Sequence, residues 1–147
     1  MTYADSSLVV SIYRPSEGLS GPARREIERA RQPVVLSLLS LLEILNAFNM
    51  AIHRGEIVAE DRDAVFADIE RQLAAGFFRM ADVSQAAVYA KAQELSDHHT
   101  PAVATRSLDL MHVATAILCK ARVFLSTDDR QRKVAKAEGL EVKPANL

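Results

Sequence analysis

A layered α/β domain is the fold this sequence predicts, and three observations predict it. Short apolar, β-like runs alternate with amphipathic helical stretches along all 147 residues. No repeat, low-complexity segment or linker interrupts them, so residues 1–147 read as one domain, long enough to bury a real core. Four of the apolar runs are also interrupted or ended by an acidic residue.

Taken in order, Met1–Asp5 reads as the first strand and Ser6–Tyr13 as a helix broken by Pro15 and Gly18. A charged helix over Ser20–Ala30 follows, with Arg24 and Glu28 in favourable i,i+4 register. Pro33 introduces a second strand, Val34–Ser37. Ser40 is a plausible N-cap for a long helix reaching Arg54 and ended by Gly55. Leu38, Leu41, Leu42, Leu45, Phe48 and Ile52 carry helical spacing for its inner face. Ala59–Ala75, stopped by Gly76, completes a helical hairpin. Phe77–Val83 is the third strand, Gln85–Asp97 a helix, and His98–Arg106 a loop holding Thr100 and Pro101. Ser107 is expected to cap a nearly all-apolar, hence buried, helix over Leu108–Lys120. Val123–Ser126 is the fourth strand, Asp129–Glu138 a basic helix ended by Gly139, and Leu140–Val142 a fifth strand.

Composition narrows the function classes. Lys plus Arg is 18 against 19 for Asp plus Glu, so no extended basic face for tight duplex binding is announced. A nucleic-acid enzyme of this balance must segregate its charges, basic residues ringing an acidic centre. Cys119 is the sole cysteine, which excludes an internal disulfide and a thiolate zinc cluster; within AILCKA it reads as a small buried hydrophobe. The N-terminus shows no leader pattern, and VVLSLLSLLEIL is too short and too polar to span a bilayer, so a cytoplasmic protein is expected.

The acids are Asp5 in TYADSS, Glu43 in LLEILNAF, Asp109 in RSLDLMHVATA and Asp128 in FLSTDDRQ. An isolated carboxylate beside a core is costly, and several converging ones need a cation. Asp5 and Asp128 end strands, where open parallel sheets bind ligands. Asp109 opens a helix, and Glu43 lies one turn into the helix after strand two. All four are therefore expected on one rim of the sheet. Each has a bland alternative: Asp5 and Asp128 can cap the helices that follow, Asp109 can complement a helix dipole, and Glu43 can be a partly exposed edge residue. Asp129 competes with Asp128, and the residues themselves do not separate the two. All-oxygen ligation favours Mg²⁺ or Mn²⁺ over zinc, and the usual hydrolytic use is activation of water and neutralisation of phosphate charge.

Other residues are secondary. His112 follows Asp109 by three positions and can touch the site or simply pack in the core. His98 and His99 read as loop residues. Ser6, Ser126 and Thr127 can orient carboxylates or cap locally. Arg130, Lys133 and Lys136, and separately Arg24, Arg25, Arg29 and Arg31, can meet phosphates or form solvated faces. No Ser/His/Asp nucleophile motif, GxGxxG or P-loop is present. With no Trp and few aromatics, extensive base stacking is not expected.

These motifs, in this order and over nearly the whole chain, resemble the PIN-domain ribonucleases, specifically the compact VapC-type toxins of bacterial toxin–antitoxin pairs. RSLDLMHVATA is the most specific match. The resemblance implies a three-layer α/β/α sandwich with a mostly parallel sheet and Mg²⁺- or Mn²⁺-dependent cleavage of RNA by an activated water. It implies catalytic acids at Asp5, Glu43, Asp109 and Asp128, with Asp5 and Asp109 as metal ligands, and its spacing prefers Asp128 to Asp129. Thr127 departs from the aromatic or other residue the family often carries before the fourth acid. A homodimer and a cognate antitoxin are the implied partners, and the apolar hairpin Ser40–Ala75 is the expected antitoxin groove. Two other classes compete. A catalytically silent interaction module need not have kept all four acids. A receiver-like signalling domain would want an acid pair near strand one and a lysine after a late strand, and FLSTDD supplies none.

Overall fold

A computed structural model describes residues 1–14, 20–30 and 33–145. The expected turn at Pro15 and Gly18, and Arg31 of the second basic cluster, lie outside them. The elements run β1 (Thr2–Ala4), α1 (Ser6–Tyr13), α2 (Ser20–Arg29), β2 (Val34–Leu36), α3 (Leu38–His53), α4 (Ala59–Ala74), β3 (Phe78–Met80), α5 (Gln85–Val103), α6 (Ser107–Leu118), β4 (Val123–Leu125), α7 (Asp129–Ala137) and β5 (Glu141–Lys143). The sheet order is β3-β2-β1-β4-β5, and every described pairing is parallel.

Alternation along the three central strands builds the layers, because successive side chains leave opposite faces. Tyr3, Val35 and Phe124 enter one core, against Val88, Leu95, Leu110, Val113 and Val134 of α5, α6 and α7. Ala4, Val34, Leu36 and Leu125 enter the other, against Leu8, Ile27, Ile44, Phe48 and Ile69 of α1 to α4. The result is the three-layer α/β/α sandwich expected, with an all-parallel sheet buried on both faces. Gly55 and Gly76 close α3 and α4 at φ of 69° and 75°, left-handed values that a side chain disfavours.

Several local expectations change. Ser37, not Ser40, is the N-cap of α3: Ser37 Oγ accepts from Ser40 N at 3.0 Å, and Ser40 Oγ accepts from Ser37 N at 3.2 Å. The inner face of α3 is Ser40, Ile44, Phe48 and Ala51, while Leu38 and Leu42 are 65% and 62% exposed and Leu45 is also exposed. A helix apolar on most sides offers no periodic contrast, and the buried stripe here contains a serine. α5 runs through Pro101 to Val103, so His98, His99 and Thr100 are helical rather than in a loop. Proline removes one backbone bond there, but packing on α6 and a 2.7 Å contact between the Thr100 and Thr105 hydroxyls hold the last turn. Ser107 is the first residue of α6, and Arg106 is its N-cap. Arg24 pairs with no acid in the described residues; the ion pair on α2 joins Arg29 to Glu26 at 3.6 Å.

Candidate active site

The strand order reverses direction between β1 and β4, and in open α/β sheets that switch point opens a crevice beyond the carboxyl ends. Asp5 leaves β1 at this crevice and Asp128 leaves the β4 side. Asp5 N donates to Leu125 O at 3.0 Å, which ties the two strand ends together.

Asp5 is fully buried and caps α1, accepting from Leu8 N at 2.9 Å. Its carboxylate also accepts from Ser126 Oγ at 2.7 Å and from Ser7 Oγ at 2.7 and 2.9 Å. Thr127 donates to Ser7 Oγ from both its amide, at 3.1 Å, and its hydroxyl, at 2.8 Å. Burial pushes the Asp5 carboxyl above its usual range, against the opposing pull of the nearby His112 and these hydrogen bonds.

Asp128 caps α7, its Oδ1 accepting from Arg130 N at 2.9 Å and Gln131 N at 3.0 Å. Asp129 is the exposed first residue of that helix. Asp109 is the third residue of α6, nearly buried, with Oδ2 accepting from Arg106 N at 2.9 Å. Arg130 Nε lies 3.9 Å from the same oxygen, and Gln131 Nε2 donates to Asp109 Oδ1 at 3.4 Å. Glu43 reaches the crevice from α3, its Oε2 accepting from Ser6 Oγ at 2.5 Å and lying 2.6 Å from His112 Nε2. Burial raises the Glu43 carboxyl, but the hydrogen bonds from His112 and Ser6 outweigh it and hold the group below its ordinary value.

Together these contacts close a circuit. Asp5 meets Ser126, whose Oγ accepts from Asp128 N at 3.0 Å. Asp128 holds Gln131, and Gln131 reaches Asp109. One turn of α6 leads to His112, then to Glu43, Ser6 and back to Asp5. Sequence reading singled out the four acids and, of their serines, Ser6 and Ser126 but not Ser7. It missed Gln131, Tyr3, Ser37 and Ser40, none of which carries a chemical signature on its own. His112 is at once the packed core histidine and a partner of an acid.

The carboxylates share one rim without forming a ready-made cage: among the described residues, no three His, Cys, Asp or Glu side chains are grouped closely enough to hold an ion. The donor chemistry nevertheless fits a hard cation, since every candidate atom is oxygen. Gln131 Oε1, nearly buried beside Asp109, has no hydrogen-bond partner among the described residues. Glu43 Oε1 and Asp128 Oδ2 are free of hydrogen bonds among the described residues, whereas both oxygens of Asp5 are engaged by serines. Cavity volume does not single out this rim. A cavity of 370 Å³ sits at the amino end of the strands, against Met1, Thr2, Arg29 and Arg122, which also places Arg29 of the second basic cluster away from the acids.

An α/β fold with carboxylates gathered at a parallel-sheet switch point defines a class of acidic-centred domains. Within that class, the PIN domain family matches residues 2–137, and this chain belongs to it. Among solved structures, FitAcB from Neisseria gonorrhoeae superposes with a TM-score of 0.66 at 17% identity, covering 97% of this chain and 96% of that one. VapC20 of Mycobacterium tuberculosis, described as a toxin cleaving the sarcin-ricin loop, gives a TM-score of 0.69 at 16% identity, covering 95% and 96%. At such identities the likeness is one of fold. No curated protein matches the chain in sequence.

Proposed function

We propose that this PIN domain is a Mg²⁺- or Mn²⁺-dependent endoribonuclease and the toxin of a toxin–antitoxin pair, acting in the cytoplasm. The observation that carries the reading is the set of hydrogen bonds that, together with one turn of α6 and the Asp5–Ser6 chain link, ties Asp5, Glu43, Asp109 and Asp128 into one circuit across the switch point. Structural capping accounts for Asp5, Asp109 and Asp128 singly. It does not account for Glu43, which caps nothing and is drawn to the same place from another element.

Asp5 and Asp109 would hold the cation, which requires the Asp5 carboxylate to give up a serine hydrogen bond. When bound, a divalent cation supplies charge neutralisation at the phosphate and activation of a water nucleophile. Glu43, kept ionised by His112 and Ser6, retains Oε1 to orient that water and accept its proton. Asp128 keeps one oxygen for the same cleft while its other oxygen fixes α7. Arg130, beside Asp109, is placed to meet a phosphate of the RNA, and Lys133 and Lys136 lie farther along the same helix.

A second copy and a cognate antitoxin are the proposed partners. The description of the M. tuberculosis fold neighbour as a toxin and the bared side of the hairpin support an antitoxin. Leu38, Leu42, Leu45 and Met50 of α3 and Val58 before α4 are all exposed large apolar residues. Hydrogen-exchange protection of 40–75 in the complex with the neighbouring gene's product is expected, and an uncovered hairpin removes that assignment.

The decisive assay incubates purified protein and its Asp5→Asn variant with total RNA, with and without chelator. Cleavage by the wild type that chelator abolishes, Mn²⁺ restores and the variant lacks is expected. Undiminished cleavage by Asp5→Asn overturns the mechanism, and an inert wild type with every divalent ion tried favours the silent interaction module.

A further inference from the structure

We infer that His112 is a positioning residue for Glu43, locked from behind by the Tyr3 hydroxyl and the Ser37–Ser40 pair. This rests on the nuclease reading of the rim. His112 and Tyr3 are both fully buried. The Tyr3 hydroxyl lies 2.8 Å from His112 Nδ1 and 3.1 Å from Ser37 Oγ, and Ser37 Oγ is 3.0 Å from Ser40 Oγ. On its other side, His112 Nε2 is 2.6 Å from Glu43 Oε2. An ionised carboxylate only accepts, so Nε2 must carry the hydrogen.

The chain of contacts therefore runs from the cap of α3, through the core face of β1, across α6, and back to α3 one turn further on. Packing does not require it. Tyr3 stacks on Phe124 with centroids 5.7 Å apart and planes 12° apart, a contact phenylalanine would keep. A buried polar chain is costly compared with apolar packing unless every member is satisfied. Here it is satisfied, and its one outlet is Glu43. With Oε2 occupied by His112 and Ser6, the carboxylate is fixed in rotation and Oε1 alone is left for the cleft.

Three variants and one spectrum test this. The ¹⁵N spectrum of the wild-type imidazole is expected to show a protonated, pyrrole-type Nε2; an unprotonated Nε2 overturns the inference whether or not RNA is cleaved. In RNA cleavage, His112→Leu and Tyr3→Phe are expected to lose roughly 10–100-fold in kcat with KM little changed, the range typical of residues that orient a metal-site group. His112→Gln, whose side-chain amide can still donate towards Glu43, is expected to recover most of that loss. Thermal melts accompany each variant, and if His112→Leu does not fold, the isosteric Tyr3→Phe carries the comparison alone. A folded Tyr3→Phe with wild-type kcat overturns the inference while leaving the nuclease reading intact. An inactive wild type with a pyrrole-type Nε2 overturns the nuclease reading instead.

Discussion

Asp128 is both the cap of α7 and a candidate catalytic acid, and two substitutions pull these roles apart. Asp128→Ala removes an acceptor that takes amide hydrogens from Arg130 at 2.9 Å and Gln131 at 3.0 Å. Loss of such a cap costs about 0.5–2 kcal/mol. For a chain of this size each kcal/mol moves Tm by roughly 2–4 °C, so a fall of about 2.5–5 °C is expected near the middle of that range. Asp128→Asn keeps the capping oxygen, since asparagine caps as well as aspartate. It gives up only the charge at the helix N-terminus, worth about 0.3–1 kcal/mol. Asparagine should therefore sit near the wild type in a melt but near alanine in an RNA cleavage assay. The comparison needs only differential scanning calorimetry and a fluorogenic or gel-resolved RNA substrate. Wild-type cleavage by a folded Asp128→Asn removes Asp128 from the chemistry, and an unchanged Tm in Asp128→Ala removes the cap.

Two other perturbations address the fold and its acid sensitivity. Ile44 is fully buried and Leu42 is 62% exposed. Ile44→Ala should destabilise by about 2–5 kcal/mol, whereas Leu42→Ala should stay within about 0.5 kcal/mol in urea unfolding; equal losses would mean α3 is rotated from the face described here. The Tyr13 hydroxyl donates to Asp68 at 2.6 Å, and Arg71 pairs with the same carboxylate at 2.6 Å. Arg71 and Tyr13 hold the Asp68 carboxyl below its ordinary 3.8. A depressed acid contributes stability that is present above the unfolded value and lost as pH falls through the lower folded one. Tyr13→Phe should therefore destabilise near neutral pH and show a shallower loss below about pH 4, read from urea midpoints across pH. Parallel wild-type and variant curves would show that the tyrosine contributes nothing to that pairing.

How much of this was legible in the chain differs by element. β1, β4 and the helices after them were readable because apolar runs stop abruptly at Asp5 and at Ser126–Asp128, where local capping and tertiary position agree. α1 was bounded at Ser6–Tyr13 in both sequence and structure for that reason. The inner face of α3 was not legible. Leu38, Leu42 and Leu45 are as apolar as Ile44 and Phe48, and the choice between faces falls to Ser40, whose hydroxyl belongs with Ser37. The end of α5 was hidden because Pro101 is a strong local stop that packing on α6 overrides. At the rim, the four candidate acids could be picked out from the sequence and their spacing could not. Separation between side chains depends on rotamers set by Ser6, Ser7, Ser126 and Gln131, contacts with no sequence period.

The coincidence of capping and chemistry at this rim has a physical origin. At the carboxyl end of each central strand the chain turns into a helix, and the first amides of that helix face the crevice unpaired. A carboxylate at the turn satisfies those amides and also places negative charge where a cation can share it. Asp5 and Asp128 occupy such positions, and Asp109, in the first turn of α6 after a helix, satisfies the Arg106 amide, so the presence of these three alone cannot distinguish a stable fold from an active one. Glu43 breaks the degeneracy. It lies in the second turn of α3, offers no capping bond, and is held by a histidine from α6 and a serine from α1. Joining three separate elements through one half-buried carboxylate adds little to stability that an apolar side chain would not match. Under the proposed nuclease reading the need it answers is orientation of an ionised oxygen, which makes Glu43 and its histidine, rather than the aspartates, the most direct test of that reading.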